Sequence, residues 1–303
     1  MKLIRINHHC YYFQGAVNIG YVCDGEVGIL IDAGLDQGAM RKVLNQLDQE
    51  RLPLTHLLIT HAHADHYGGA AYLQNKRNIY TMAPVLEEAI LRNPVLEPIY
   101  LFQGNWPTLD MRNKFLEGEA IRIDEVVSEG VWDIQGIQIN SIALPGHSYY
   151  QLGYQIHDVL YAGDAFFGRE TLQKHKIPYL VDADQTLQTL KCLLEWPVKR
   201  AVPGHGAYEE DAEELIRQNI AWHQRVLESM EDVIKNAPDG LSHEQLVREM
   251  CTRWEIETSR LSSWVLYRTA ITGYLLKLVK DEKAVLSIQR HALWIAPYEK
   301  RTA

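Results

Sequence analysis

Six consecutive residues, His61-Ala62-His63-Ala64-Asp65-His66, carry four side chains able to ligate a metal, and they follow directly on the run Leu57-Leu58-Ile59-Thr60. Neutral imidazoles and a carboxylate are costly to bury unless something pairs with them, so packing is a poor reason for such a cluster. Two histidines at i and i+2 leave the end of a strand on the same face, and the next turn can fold Asp65 and His66 back toward them. That spacing suits a pair of metal ions better than one.

Three more segments set the same kind of side chain in the same kind of place. Leu144-Pro145-Gly146-His147-Ser148 puts a histidine in a Pro-Gly turn after an apolar run, and Val202-Pro203-Gly204-His205-Gly206 repeats the arrangement. Leu160-Tyr161-Ala162-Gly163-Asp164-Ala165 puts an aspartate at another strand end. Loops at strand ends are where a rigid scaffold presents reactive groups, and glycine lets the backbone approach an ion closely. Together with Asp32 in Ile31-Asp32-Ala33-Gly34, these segments, in this order over about residues 15 to 208, resemble the metallo-β-lactamase superfamily.

The resemblance implies an αββα sandwich with its site at one edge. It implies His61, His63 and His147 on one metal, Asp65, His66 and His205 on a second, and Asp164 bridging the two. Asp32 would orient a ligand or the histidine loop by hydrogen bonds; a plain turn-forming aspartate is the other reading of that position. Five imidazoles and two carboxylates favour two divalent ions, Zn2+ first, with Mn2+ or Fe2+ as alternatives.

Two metals on one carboxylate also share a water, whose pKa falls far enough to supply hydroxide near neutral pH. The expected reaction is therefore hydrolysis of a small-molecule ester, thioester, lactone or phosphoester by that bridging hydroxide, with Asp65 helping to manage the proton. Glutamate in place of His63 would suggest the flavodiiron oxygen reductases, so His63 points to hydrolysis. A mononuclear iron persulfide dioxygenase is the alternative within the same superfamily, and a ligand-sensing DNA-binding regulator is the alternative outside enzymes. After His147 the chain reads Ser148-Tyr149-Tyr150-Gln151, a departure from relatives of the glyoxalase II type, so glutathione thioesters are not the favoured substrates.

The elements that must position these loops follow from residue periodicity. Strands are predicted over residues 2–6, 11–13, 18–23, 27–31, 55–60, 78–82, 120–123, 130–134, 137–143, 153–157, 159–162 and 198–202, with Asp24-Gly25 as a hairpin turn. Helices are predicted over residues 38–50, 68–73, 84–93 and 184–194. Residues 94–117, rich in proline and aromatics, read as a covering loop or irregular helix that either walls the site or packs on the core. Trp106, Tyr149, Tyr150, Phe166, Phe167 and Tyr179 lie in that segment or beside the metal-ligand loops and are candidates for an apolar substrate pocket.

Past residue 209 the character changes to long helices over 209–236, 242–253 and 259–280, followed by a hairpin of 284–288 with 292–295. Helix, helix and β-wing make a winged-helix-like unit. The expected division is a metal-binding hydrolase domain over residues 1–215 and a helical winged-helix-like domain over 216–303. The second of its helices, 259–280, holds too many apolar residues for a DNA-reading face, so it should bury itself beside the main domain or in a homodimer contact.

Composition is ordinary for a soluble globular protein: 47% of residues are apolar and 23% charged. The net charge of -9 argues against a nucleic-acid partner, which needs clustered cations. Met1 to His9 alternates and carries charge, unlike a signal peptide, and no stretch approaches the roughly 20 apolar residues of a membrane span. The expected location is cytoplasmic, which also speaks against β-lactam hydrolysis as the role. Cys10, Cys23, Cys192 and Cys251 are scattered and form no Cys-x-x-Cys pair, so they should be reduced.

Overall fold

The computed structural model describes residues 1–197 and 199–298. Strands β1 (Lys2–Arg5), β2 (Cys10–Gln14), β3 (Ile19–Asp24), β4 (Val27–Ile31), β5 (His56–Leu58), β6 (Tyr80–Pro84) and β7 (Glu125–Val127) form one sheet in chain order. The pairs from β1 to β4 are antiparallel and those from β4 to β7 parallel. A second sheet holds β8 (Gly130–Ile134), β9 (Ile137–Ala143), β10 (Leu152–Ile156), β11 (Val159–Gly163) and β12 (Arg200–Pro203) in the order β12-β11-β10-β9-β8.

Two-residue alternation decides which layer each side chain enters. In β4, Ile29 and Ile31 pack between the sheets with Ile139, Tyr154 and Tyr161, while Leu30 points the other way, toward Met40, Val43 and Leu47 of helix Gln37–Glu50. On the far side, Leu190 and Leu193 of helix Ala183–Glu195 cover Leu160 and Ala201. The layers therefore run helix, sheet, sheet, helix, the αββα sandwich expected from the sequence.

Departures from the predicted elements have causes in tertiary contacts. Residues 120–123 do not join a ladder. Ile121 and Ile123 are buried there, but the backbone of Arg122 is held by a side chain: Gln74 accepts from its N–H at 3.0 Å and donates to its carbonyl at 2.7 Å. The edge strand is β7 instead. The helix predicted over 68–73 is two, Ala64–Tyr67 and Ala70–Lys76, separated at Gly68, where a Cβ would lie 2.0 Å from the Leu35 carbonyl oxygen. Helix Arg169–His175 was not predicted. Val198, the expected start of the strand observed as β12, lies outside the described residues, as do positions 299–303.

The C-terminal region consists of helix Glu213–Lys235, β13 (Leu241–Ser242), helices His243–Arg253 and Leu261–Lys280, and the hairpin of β14 (Ala284–Gln289) with β15 (Ala292–Pro297). Its sheet is antiparallel in the order β13-β15-β14. Ser242 and Gln245 cap each other's backbone as a reciprocal pair. The division expected at residues 215 and 216 falls inside helix Glu213–Lys235. Leu215 and Ile216 pack with the second sheet's outer layer, whereas Val226, Met230 and Ile234 pack with Leu246, Met250, Ile271 and Tyr274. No described helix is long and apolar enough to cross a membrane.

His223 gives that helix a pH signature. It is 2% exposed, with Nδ1 2.7 Å from the Tyr274 hydroxyl, and burial holds it down to about 4. An unfolded histidine titrates near 6.5, so between these values the unfolded chain takes up a proton that the native chain refuses. Stability present above about pH 6.5 is thus lost as pH falls toward 4, by about 2 kcal/mol at pH 5. The thermal midpoint of His223→Gln is expected to fall less between pH 7 and pH 5 than that of the parent; equal falls would contradict this.

Candidate metal centre

Five of the predicted loops leave the same edge of the sandwich. Parallel pairing sets the C-terminal ends of β4 and β5 level, Ile31 beside Leu58, and those of β11 and β12 level, Gly163 beside Pro203. Asp32, the His61 to His66 stretch, Asp164 and His205 follow those ends, and His147 follows β9. The ends of neighbouring strands at a sheet edge are a natural place to gather groups from distant parts of a chain.

The structure brings all seven expected metal-ligand residues together. Their ligand atoms form three overlapping groups, each within 4.8 Å: His61, His63 and His147; His61, His66 and Asp164; and Asp65, His66 and His205. Asp164 sits between the groups. Its Oδ1 is 3.3 Å from His66 Nε2, and its Oδ2 is 3.4 Å from the Nε2 atoms of both His147 and His205. Asp65 Oδ2 lies 3.2 Å from His205 Nε2.

Hydrogen bonds around the cluster choose the imidazole tautomers. The Nδ1–H of His147 donates to the Tyr179 carbonyl at 3.0 Å and that of His205 to the Ala16 carbonyl at 2.9 Å. His66 Nδ1 donates to Asp32 Oδ2 at 2.8 Å. Thr60 Oγ1 donates to the same carboxylate, which leaves its lone pair for His61 Nδ1 at 3.0 Å. In each case a proton sits on the outer nitrogen, so Nε2 is the atom turned inward and left for a ligand. Asp32 also accepts from the Thr60 N–H at 2.8 Å, tying the end of β4 to both histidines; its φ of 65° is one that aspartate tolerates better than most residues.

The donor set fits divalent cations. His61 Nε2, His66 Nε2 and Asp164 Oδ1 are buried without hydrogen-bond partners, a costly state for atoms facing one another unless a cation lies among them. Gly204 leaves the room: a Cβ there would lie 2.2 Å from Asp164 Oδ1 and 2.7 Å from His66 Cε1. Burial holds His61 and His147 below the ordinary imidazole value and takes His63 down to about 3, leaving them in the neutral form that ligates. Burial opposes charge on His66 and His205 as well, but the carboxylates of Asp164 and Asp65, joined at His66 by Asp32, outweigh it and raise both. The reverse side of the same pairing pulls Asp65 down to about 2 against its own desolvation. A bound cation would replace those protons.

Beside the cluster lies a cavity of about 330 Å³ whose floor includes His63, Asp65, His147, Asp164 and His205. Among the aromatics expected to wall it, Tyr179 and Phe167 do so. The others do not. Phe166 is wholly buried with Leu144 and Leu160. Trp106 is 69% exposed with the Arg112 guanidinium 5.8 Å over its ring. Tyr149 and Tyr150 are exposed, Tyr149 meeting Tyr100 edge-on at 5.6 Å.

Two acidic residues were missed. Glu87 accepts from Ala62 N–H and Tyr150 N–H, each at 2.9 Å, and from the Ser148 hydroxyl, so one buried carboxylate joins the His61 loop to the His147 loop. Glu97 lines the cavity; burial, with the nearby Asp65 and Glu87 charges adding, raises its carboxyl well above the ordinary range. Its signal in the sequence was an acid inside the apolar run Pro94-Val95-Leu96-Glu97-Pro98-Ile99. The far wall comes from helix Leu261–Lys280, through Ser263, Leu266 and Tyr267, while Val265 of that helix packs with Leu101, Met111 and Leu116.

A family profile described as Metallo-beta-lactamase superfamily matches residues 12–205. The chain is similar to an atrochrysone carboxyl ACP thioesterase of Aspergillus fumigatus, 23% identical over 66% of this chain and 54% of that protein. It is also similar to a hydroxyacylglutathione hydrolase of Aeromonas hydrophila, 29% identical over 44% of this chain and 41% of that one. The chain thus spans about half the length of these curated relatives. Among solved structures, a beta-lactamase domain protein from Burkholderia ambifaria superposes with a TM-score of 0.74 at 16% identity, covering 98% of this chain and 93% of its own. That likeness extends the shared fold through the C-terminal region.

Proposed function

The chain belongs to the metallo-beta-lactamase superfamily, and we propose that it is a metal-dependent hydrolase of small-molecule thioesters or esters. The observation that carries this reading is the convergence of the unpaired His61 Nε2, His66 Nε2 and Asp164 Oδ1 with the other ligand atoms beside a mostly apolar cavity. His61, His63 and His147 would hold one ion and Asp65, His66 and His205 a second, with Asp164 reaching both. Bound there, divalent metals, zinc foremost, polarise a carbonyl and lower the pKa of a water.

The chain's own groups do the rest. Asp65 faces the cavity and is placed to take the proton of the attacking water. Apolar walls receive the acyl chain and exclude bulk water. Among the described residues lining the cavity there is no lysine or arginine, which favours uncharged acyl groups over an anionic carrier in this space. One relative is named a thioesterase and another a hydrolase, and both names support the reaction type. We read the C-terminal region as winged-helix-like in its strand and helix order, with helix Leu261–Lys280 turned to the cavity rather than to nucleic acid.

Elemental analysis of protein isolated without added metal or chelator tests this directly. The expected result is about two zinc or manganese ions per chain, with thioester hydrolysis that stops on chelation and returns on adding the metal. A single iron with no hydrolysis of any ester or thioester would overturn it.

A further inference from the structure

Two buried side-chain atoms make no hydrogen bond although their residues line the cavity: Glu97 Oε2 and the Tyr179 hydroxyl. Both residues line the cavity that holds the candidate metal ligands. Glu97 is 2% exposed, and no ion pair reaches it among the described residues. Tyr179 is fixed beside the cluster: its ring lies 5.3 Å from that of His63 and 5.6 Å from that of His147, and its carbonyl takes the His147 proton. The Tyr100 hydroxyl is a close polar neighbour, without hydrogen-bond geometry. Buried groups of this kind are rarely left without partners, and a cavity wall is where a ligand can provide one.

Resting on the hydrolase reading above, we propose that Glu97 and Tyr179 form a subsite for a hydroxyl group carried on an otherwise apolar, uncharged substrate chain. A hydroxyl offers one donor and accepting lone pairs, so it can donate to the Glu97 carboxyl and accept from the Tyr179 O–H at once. A substrate carboxylate would have to shed its hydration at a wall whose described residues include no lysine or arginine. An ammonium group would bring only donors and would sit beside the positive charge of the metal ions. The surrounding wall, with Leu116, Phe167, Ile177 and Leu266 and, among the described residues, no lysine or arginine, suits the apolar remainder of such a chain.

The experiment compares metal-loaded protein on octanoyl thioesters of N-acetylcysteamine: the unsubstituted chain, chains with one hydroxyl at successive carbons, and the matching amino compounds. In parallel, calorimetry measures binding of octanamide and the hydroxy- and amino-octanamides, which are not cleaved. At one hydroxyl position kcat/KM is expected to exceed that of the unsubstituted thioester by about tenfold or more, since a site built for a hydroxyl discriminates against its absence. Glu97→Gln, which keeps an accepting oxygen, should retain the preference, whereas Glu97→Leu and Tyr179→Phe should each reduce it toward unity with thermal midpoints that show folded protein.

Hydrolysis with no position favoured would overturn the subsite and leave the hydrolase reading standing. If no thioester or ester is cleaved, the hydrolase reading fails and binding decides the subsite. Hydroxyoctanamide bound about tenfold more tightly than octanamide supports it, and equal binding overturns it. An amino compound preferred over every hydroxy compound also overturns it.

Discussion

Asp164→Ala is expected to reduce hydrolysis by on the order of 10³-fold and to lower the metal content to one ion per chain or fewer. Asp164 stands between the two expected ligand sets, at 3.3 Å from His66 Nε2 and 3.4 Å from the Nε2 atoms of His147 and His205. Its carboxylate also balances imidazoles that crowd one another, the rings of His61 and His66 being 4.2 Å apart. Losing the shared carboxylate removes the group that would hold two cations in one site. Transition-state stabilisation by such ions is worth several kcal/mol, and each 1.36 kcal/mol is tenfold in rate. Elemental analysis and kcat/KM, with circular dichroism to verify folding, check the result. A variant with parent metal content and rate would show that Asp164 is not a shared ligand.

Glu87→Ala is expected to destabilise the protein by about 3 kcal/mol or more and to weaken metal binding about 10- to 100-fold, although Glu87 is not among the ligand residues. Its carboxylate accepts from two backbone N–H groups and a hydroxyl. Removal strands these buried donors, each at a cost of about 1–3 kcal/mol. It also cuts the tie that sets the backbone between His61 and His63 against the turn after His147. Glu87→Gln separates the two effects, because its single amide oxygen can serve Ser148 and Tyr150 or Ala62, not both loops. Chelator competition should therefore place Glu87→Gln between the parent and Glu87→Ala. Parent-like metal affinity in both variants would mean that the loops hold their relative positions without this carboxylate.

Glu87 and Asp164 illustrate different degrees of legibility. Asp164 stands after an apolar run that reads as a strand and beside a glycine, so its type and place are written within six residues of sequence. The same holds for His147 and His205 in their Pro-Gly turns. Glu87 looks like an ordinary acid in the first turn of a short helix, and its partners lie 25, 61 and 63 residues away. Nothing local marks it. Glu97 was visible as an acid in an apolar stretch, but its place in the cavity wall depends on how residues 94–117 fold over the site.

Phe166 and Phe167 show the same limit at the scale of one residue. Both follow Asp164 and both are apolar, yet one completes the core and the other faces the cavity; the choice belongs to the backbone direction leaving β11. Helix Leu261–Lys280 was recognisable as a buried helix from its apolar content, which is a property of its own residues. That it buries Val265 against Leu101 and Met111 and lends Leu266 and Tyr267 to the cavity wall depends on contacts across more than half the chain.

Sequence alone therefore placed the histidines and aspartates at strand ends, because strand periodicity, turn glycines and residue type act over a few residues, and the order of those segments carried the resemblance that implied the αββα layers and the ligand set. The tautomers held by Asp32, Tyr179 and Ala16, the Glu87 tie and the shape of the cavity came from tertiary packing. Each of these requires two distant segments to meet at hydrogen-bond or van der Waals distance, and a local pattern holds no information about which segments will meet.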